Sequence, residues 1–515
     1  MKKNVFTNFI KKHILIIAIT LCMAIIYGIM LFTNGPWYDE LYTYYSFICR
    51  GPVYAAIHWP VPNNHVGYSV LSAFLNIFGN SYISLRGVSY IAALTNIVLI
   101  YVFVSMFFKK EYGVLSALIY IGAWQVHNLA IQGRGYSTAV TCYLTATITC
   151  YLICSGKDRL KNYIIFAIAL TLGLYILPSS VYWVMPICIV GGIYLLINKE
   201  YKILFRLILS GIVAAVMTVG LYTIIWLAIG SNLISKNPES MYYGVYQVSI
   251  ILKNPLLAVK TGIEYMLATP YIQSIDRVDA VKGMFGYFVD FFNLCYAGHG
   301  VLICIVYLLI IVVTVWSFIK AYKEKRNDSW IQMYIFISLI LVPFILMIQS
   351  VHPYKRVISF IMVPLAVGVV YVISSLADNI KKENIRKICR VVLIVATIIY
   401  VSVRMGTYDF RGPLADRENE IKKVLDQVDV SDISSIYYTD DYQKYVLKFY
   451  YNVEPVECSL EEAKYVIVAK ELMDDTYQSA SWPLLQAYDM GFNERVSANF
   501  GCVGRTESYM VYRAK

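Results

Sequence analysis

The sequence predicts an all-α polytopic membrane protein with a small α/β domain at its C-terminal end. Three observations lead there. Of 515 residues, 58% are hydrophobic and 15% are charged, whereas a soluble domain carries about a quarter charged. The apolar residues gather in runs of near membrane-spanning length. From Gly406 onward the composition turns charged and mixed.

The apolar runs lie at 14–33, 84–108, 113–130, 135–154, 162–177, 180–197, 204–229, 300–319, 332–349, 356–376 and 388–405. They predict about eleven transmembrane helices at the usual ~20 residues each. Pro178, with Ser179 and Ser180, divides one longer run in two, because proline cannot continue the helix ladder. The first run follows Lys2, Lys3, Lys11 and Lys12, as in a signal peptide. It is long enough to span, and no small-x-small cleavage site follows, so a retained first helix is expected.

The stretch from Val66 to Gly79 is too short to span and fits an interfacial or re-entrant helix. With a cytoplasmic N-terminus and no crossing there, every basic loop falls inside. These are Lys109/Lys110, Lys157/Arg159/Lys161, Lys199/Lys202/Arg206, Lys320/Lys323/Lys325/Arg326 and Lys381/Lys382/Arg386/Lys387. The net charge of +11 then belongs to loops facing anionic lipid, and no nucleic-acid partner is implied. The outer side receives the loop 34–83, the turn Gln132–Tyr136, the loop 230–298, the turn His352–Arg356 and the tail. Elaborated loops are where chemistry is expected.

The expected division is a first module over 1–230, a long external loop over 231–298, a four-helix membrane module over 299–405 and an extracytoplasmic domain over 406–515. In the tail, 416–428, 441–451 and 483–490 have helical spacing, and 433–438, 464–469 and 508–513 read as strands. The eleven cysteines show no metal-ligand spacing, and no metal site is expected.

Asp39 and Glu40 stand in Gly35-Pro36-Trp37-Tyr38-Asp39-Glu40-Leu41-Tyr42, just after the first run. A carboxylate partly desolvated at a membrane surface can serve as a general base. Alternatively, Asp39 caps a short helix, since Leu41, Tyr44, Tyr45 and Ile48 have helical spacing. Arg134 lies between two apolar runs, as a ligand for lipid phosphate or as a snorkelling arginine. Arg86 holds a similar place, with pairing to Asp39 or Glu40 as its other reading. Lys355 and Arg356 break the positive-inside trend, either as phosphate ligands or as tolerated charges. Spacing does not select among Glu264, Asp276, Asp290 and His299 in the 230–298 loop.

The Asp-Glu pair directly after the first helix resembles the signature of the GT-C superfamily of membrane glycosyltransferases. It resembles in particular the glycosyltransferase family 39 group, which includes protein O-mannosyltransferases and lipid A aminoarabinose transferases. Asn63-Asn64-His65-Val66-Gly67-Tyr68 occupies the place of that family's stretch before a short juxtamembrane helix. Phe78-Gly79-Asn80-Ser81 and Leu85-Arg86 resemble its Phe-Gly, small-polar, Leu-Arg pattern. Gln132-Gly133-Arg134-Gly135-Tyr136 resembles its Arg-x-Tyr. The aminoarabinose transferases carry Glu-Lys-Pro-Pro where this chain has Asn-Asn-His-Val; either His65 or Asn64 takes the place of the lysine toward the donor phosphate, or His65 is a hydrogen-bonded interfacial histidine.

The resemblance implies a GT-C fold with a seven-helix conserved module. It implies transfer of a sugar from a polyprenyl-phosphate donor to an acceptor hydroxyl on the outer membrane face, with inversion. Asp39 is then the base beside Glu40. Arg134, Arg86, His65, Lys355 and Arg356 are candidates for the donor phosphate, and Tyr38, Asn64 and Tyr136 for substrate contact. No obligatory cofactor is implied beyond the lipid-linked donor. Partners would be membrane lipid and a glycolipid, polysaccharide or protein acceptor, in a bacterial plasma membrane. A polysaccharide polymerase or ligase would favour arginines in a large external loop. A flippase would show related halves and mid-membrane charge.

Overall fold

A computed structural model describes residues 2–57, 64–228, 254, 256, 276–323, 329–378, 380–407, 416–429, 435–439, 441–456, 458–470 and 491–515. Glu264, most of the 230–298 loop and the expected helix at 483–490 lie outside these residues. The chain divides into two compact units. The first comprises Met1–Gly28, Pro52–Ser72 and Arg86–Tyr408, and the second Ile29–Gly51, Ala73–Leu85 and Asp409–Lys515.

All of the expected apolar runs fall on helices. Among the described residues nine helices are long and apolar enough to cross a membrane. They carry α1 (Lys2–Thr33), α5 (Ser81–Ser105), α8 (Tyr136–Cys154), α10 (Val181–Ile197), α11 (Tyr201–Ala228), α13 (Gly300–Lys323), α14 (Trp330–Gln349), α15 (Met362–Asp378) and α16 (Glu383–Gly406). The protein is a multi-pass membrane protein. α9 (Leu160–Ile176) is apolar but only 17 residues long. The segment from Val66 forms α4 (Val66–Ala73) and a 3-10 turn to Phe78, short of the ~20 residues a span needs.

Two expectations need correction. The run 113–130 is not one helix: α6 (Lys110–Ile121) and α7 (Trp124–Ile131) meet at a 75° bend. Ala123 is extended there, with ψ 117°. Gln125, His127 and Asn128 make the second half polar, and protein rather than lipid surrounds them, since all three are buried. His127 Nδ1 lies 3.0 Å from the Tyr27 hydroxyl. Secondly, part of the expected external loop is helix α12 (Arg277–Cys295), whose N-cap Asp276 accepts from the Val278 N–H. Ala280, Met284, Tyr287, Phe288, Phe291, Phe292 and Cys295 form its buried face.

Within the first unit, interhelical polar bonds tie apolar surfaces together, as expected where lipid offers no hydrophobic drive between helices. The Tyr143 and Tyr334 hydroxyls meet at 2.8 Å. Tyr182 donates to Gln349 Oε1 at 2.7 Å, and Asn96 donates to the Ser137 carbonyl at 2.9 Å.

In the second unit the tail forms a four-stranded sheet, ordered β1 (Ile436–Tyr438), β2 (Tyr465–Ala469), β4 (Tyr509–Ala514) and β3 (Phe500–Arg505). β1 runs parallel to β2, and the other pairs are antiparallel. Tyr465 and Ile467 pack on one face with α17 (Asp416–Leu425) and α18 (Asp441–Tyr451). Val466 and Val468 pack on the other with Phe492 and Val496 of α19 (Phe492–Asn499). Burial on both faces explains the unbroken apolar run of β2. β3 escaped the sequence reading because Gly501 and Gly504 interrupt it, with a register shift between Cys502 and Gly504.

A Cβ on Gly173 of α9 would lie 2.4 Å from Trp183 Cζ2, and Trp183 is fully buried. Gly173→Ala therefore lowers stability by about 1–3 kcal/mol, read as a lower unfolding midpoint of the detergent-solubilised protein.

Candidate functional site

The first unit brings together His65, Arg134, Tyr136 and Arg356, four of the residues singled out in the sequence. Two glycines make this possible. A Cβ on Gly67 would fall 2.8 Å from Tyr175 Cδ1 and 3.0 Å from the Ile176 nitrogen. A Cβ on Gly135 would fall 2.4 Å from Ile176 Cγ2 and 3.2 Å from the Tyr68 Cβ. The end of α9 is thus a common wall against which the start of α4 and the turn before α8 both press. Ser89 of α5 adds a tie, donating to the Gln132 carbonyl at 2.6 Å.

His65 precedes α4, and Arg134 lies in the α7–α8 turn. Both are buried. Arg134 Nη2 lies 3.3 Å from His65 Nε2. A guanidinium only donates, so Nε2 must accept, and the proton of neutral His65 sits on Nδ1. Burial, then the charges of Arg134 and Arg356, hold the His65 pKa well below the usual imidazole range. Its Nδ1 is buried with no hydrogen-bond partner, as are Gln132 Oε1 and Thr138 Oγ1. Arg356 Nε donates to the Tyr136 hydroxyl at 3.0 Å, and the Tyr136 ring meets His65 edge-on at 5.4 Å.

α12 supports the turn that carries Arg356. His352 stacks on Tyr287 with centroids 5.0 Å apart, and its Nε2 lies 3.1 Å from the Ala280 carbonyl oxygen. The Tyr287 hydroxyl donates to the Pro353 carbonyl at 2.7 Å. Lys355 pairs with Asp290 of α12 at 3.4 Å. Tyr287 and Asp290 thus hold the turn, and the aromatic spacing along 280–295 was the signal available for finding them. Arg86 is fully buried in the first turns of α5. Asn64 donates to the Ala55 carbonyl at 3.4 Å and accepts from Ser69 Oγ at 2.7 Å, which fixes the entry to α4. Among the described residues no three His, Cys, Asp or Glu side chains converge as metal ligands.

The second unit carries Tyr38, Asp39 and Glu40 on α2 (Tyr38–Ser46), whose N-cap is Trp37. Asp39 is therefore not the cap. Glu40 Oε2 accepts from the Trp37 backbone N–H at 3.3 Å, and Glu40 is buried. Asp39 is more exposed, and its backbone carbonyl accepts from Thr43 Oγ1 at 2.7 Å. The adjacent carboxylates are thus distinct in role: one closes the helix start, and the other is more open to solvent.

Comparison with known proteins agrees with this architecture. The family profile described as dolichyl-phosphate-mannose-protein mannosyltransferase matches residues 65–229. The crystal structure of ArnT from Cupriavidus metallidurans bound to undecaprenyl phosphate is similar at 12% identity and TM-score 0.53, covering 98% of both chains. Its apo state is similar at 11% identity and TM-score 0.53, covering 99% of this chain and 98% of that one. The chain shares the fold of these ArnT structures. No curated protein sequence matches the chain.

The low pKa of His65 has a thermodynamic consequence. Unfolded, the imidazole gains a proton near pH 6.5, while the folded protein resists it. Stability from this residue is full above that pH and is lost as pH falls toward the folded pKa. In His65→Gln, a neutral acceptor for Arg134 remains without this titration. The drop in unfolding midpoint between pH 7.5 and 5 should be smaller in the variant than in the wild type.

Proposed function

We propose that the chain is a membrane glycosyltransferase moving a sugar from a polyprenyl-phosphate-linked donor to an acceptor hydroxyl on the outer membrane face. The observation that carries this reading is the buried Arg134–His65 contact, with a buried N–H at His65 Nδ1 lacking an acceptor. A buried donor left unmatched costs about 1–3 kcal/mol. A phosphate oxygen would recover that cost, and arginine recognises phosphate by forked hydrogen bonds. The undecaprenyl phosphate bound to the similar ArnT structure is a ligand of this class.

In the reaction, Asp39 takes the proton of the acceptor hydroxyl. The oxygen attacks the anomeric carbon of the sugar, and the bond from that carbon to the phosphate oxygen breaks. The electron pair leaves with the lipid phosphate, whose growing charge Arg134, Arg356 and the His65 N–H stabilise. Direct displacement with a single base inverts the anomeric configuration. Tyr136 orients Arg356 through its hydroxyl. Lys355 has Asp290 as its near neighbour, which leaves Arg356 as the leading cation of its turn. Arg86, Tyr38 and Asn64 remain candidates for donor or acceptor contact in this scheme. The acceptor is a lipid, a cell-envelope polysaccharide or a protein, and the cell is bacterial. The chain is oriented with its N-terminus in the cytoplasm and its tail outside.

Two substitutions test the assignment, with transfer from a polyprenyl-phosphate sugar as the readout. Asp39→Asn should lower kcat by about 10²–10⁴-fold, the share general-base catalysis supplies; wild-type turnover would remove Asp39 from the mechanism. Arg134→Gln should lower kcat/KM by about 10²–10³-fold and weaken binding of the free polyprenyl phosphate. Unchanged affinity for that lipid would end the phosphate assignment.

A further inference from the structure

The tail beyond the last membrane helix has no role in the chemistry above, yet it shares one compact unit with α2, the helix that carries Asp39. The join between them is made of tyrosines. Tyr38, Tyr42 and Tyr45 recur along one face of α2 at helical spacing, and Tyr442, Tyr445 and Phe449 do so along α18. Tyr445 meets all three α2 rings. Its centroid lies 5.8 Å from Tyr38, 6.3 Å from Tyr42 and 5.7 Å from Tyr45, and the last pair is stacked at 9°. Tyr442 approaches Tyr38 at 4.6 Å. Beside this seam, Phe449 takes Tyr44 at 6.1 Å and Tyr82 at 4.9 Å, and Lys448 Nζ lies 5.7 Å from the Tyr45 ring.

We propose that Tyr445 is a positioning residue: as the ring at the centre of this seam, it lets the tail domain set the placement of α2 and hence of Asp39. This rests on the reading of Asp39 as the base. α2 has only nine residues, too few to be stable in isolation, since isolated helices below about 12–15 residues are marginal in water. Its shape must therefore come from what packs on it. Tyr38 is the immediate neighbour of Asp39 and is buried, so a displacement of the helix backbone that carries its ring displaces the carboxylate too. A misplacement of about 1 Å at a reacting group costs on the order of 10²-fold in rate. On this view the tail belongs to the catalytic apparatus without touching substrate.

The test compares Tyr445→Ala and Tyr445→Phe in the full-length, membrane-reconstituted protein. Hydrogen exchange over residues 38–46 reads the holding of α2 without reference to activity, and exchange over β2 and α19 reports whether the tail remains folded. Tyr445→Ala should speed exchange at 38–46 while β2 and α19 stay protected. It should lower kcat by about 10²-fold, with KM for the lipid donor within about twofold. Tyr445→Phe keeps the ring and should restore both protection and kcat. Unchanged exchange at 38–46 in Tyr445→Ala overturns the proposal, as does faster exchange there with wild-type kcat. If Tyr445→Ala unfolds the tail, Tyr445→Leu with the same readouts decides by the same criteria. Failure of the base assignment shows separately, as transfer retained by Asp39→Asn.

Discussion

The contact between Arg134 and His65 is the constraint around which the first unit is organised. A guanidinium cannot shed its proton inside a protein, so burying Arg134 forces its neighbours to supply acceptors. His65 answers as a neutral ring with Nε2 as acceptor, and it can do so only while it stays unprotonated. The low pKa of His65 is thus the other side of burying an arginine. Desolvated charge is costly in proportion to how poorly it is matched, so each acceptor around a buried guanidinium counts.

The packing that holds this contact is steric and local. Gly67 and Gly135, far apart in sequence, both press close to Ile176, so α4 and the α7–α8 turn are registered by the same side chain. Non-helical backbone at membrane depth survives only when buried in protein or lining a cavity. The bend between α6 and α7 meets that condition, since Gln125, His127 and Asn128 are buried. Broken helices, small residues and buried polar groups therefore occur together here for one reason. The chain must bring polar backbone and side chains into an apolar slab, and each of these features lowers the cost.

Much of this was legible in the sequence. Apolar length marked the helices, since ~20 consecutive apolar residues have few other uses. The stretches around His65 and Arg134 were marked by charge and glycine at odds with their apolar surroundings. The 75° bend was not legible from hydropathy alone, because an average over a window conceals polar residues such as His127 and Asn128. α12 was missed because its aromatics were read as loop content, although Tyr287, Phe288, Phe291 and Phe292 repeat at helical spacing. β3 was missed because two glycines hide its alternation. An excess of tyrosine, 46 against 23 phenylalanines, suits membrane interfaces, and spacing on one helix cannot show that Tyr38, Tyr42 and Tyr45 face a second helix some 400 residues later in the sequence.

The neighbouring carboxylates show how the fold sorts two equal candidates. Glu40 is the third residue of α2, and from there its side chain reaches back to the Trp37 N–H, closing one of the open donors at a helix start. That bond ties the buried Glu40 carboxylate to the start of the helix. Asp39, one residue earlier, cannot make that return bond and is left more exposed, yet the helix that Glu40 closes fixes its backbone. General-base catalysis asks for a carboxylate held in place by something other than its own side chain. With Asp39 as the proposed base, the Glu40 bond meets that need at one end of α2 and the tyrosine seam meets it along the face.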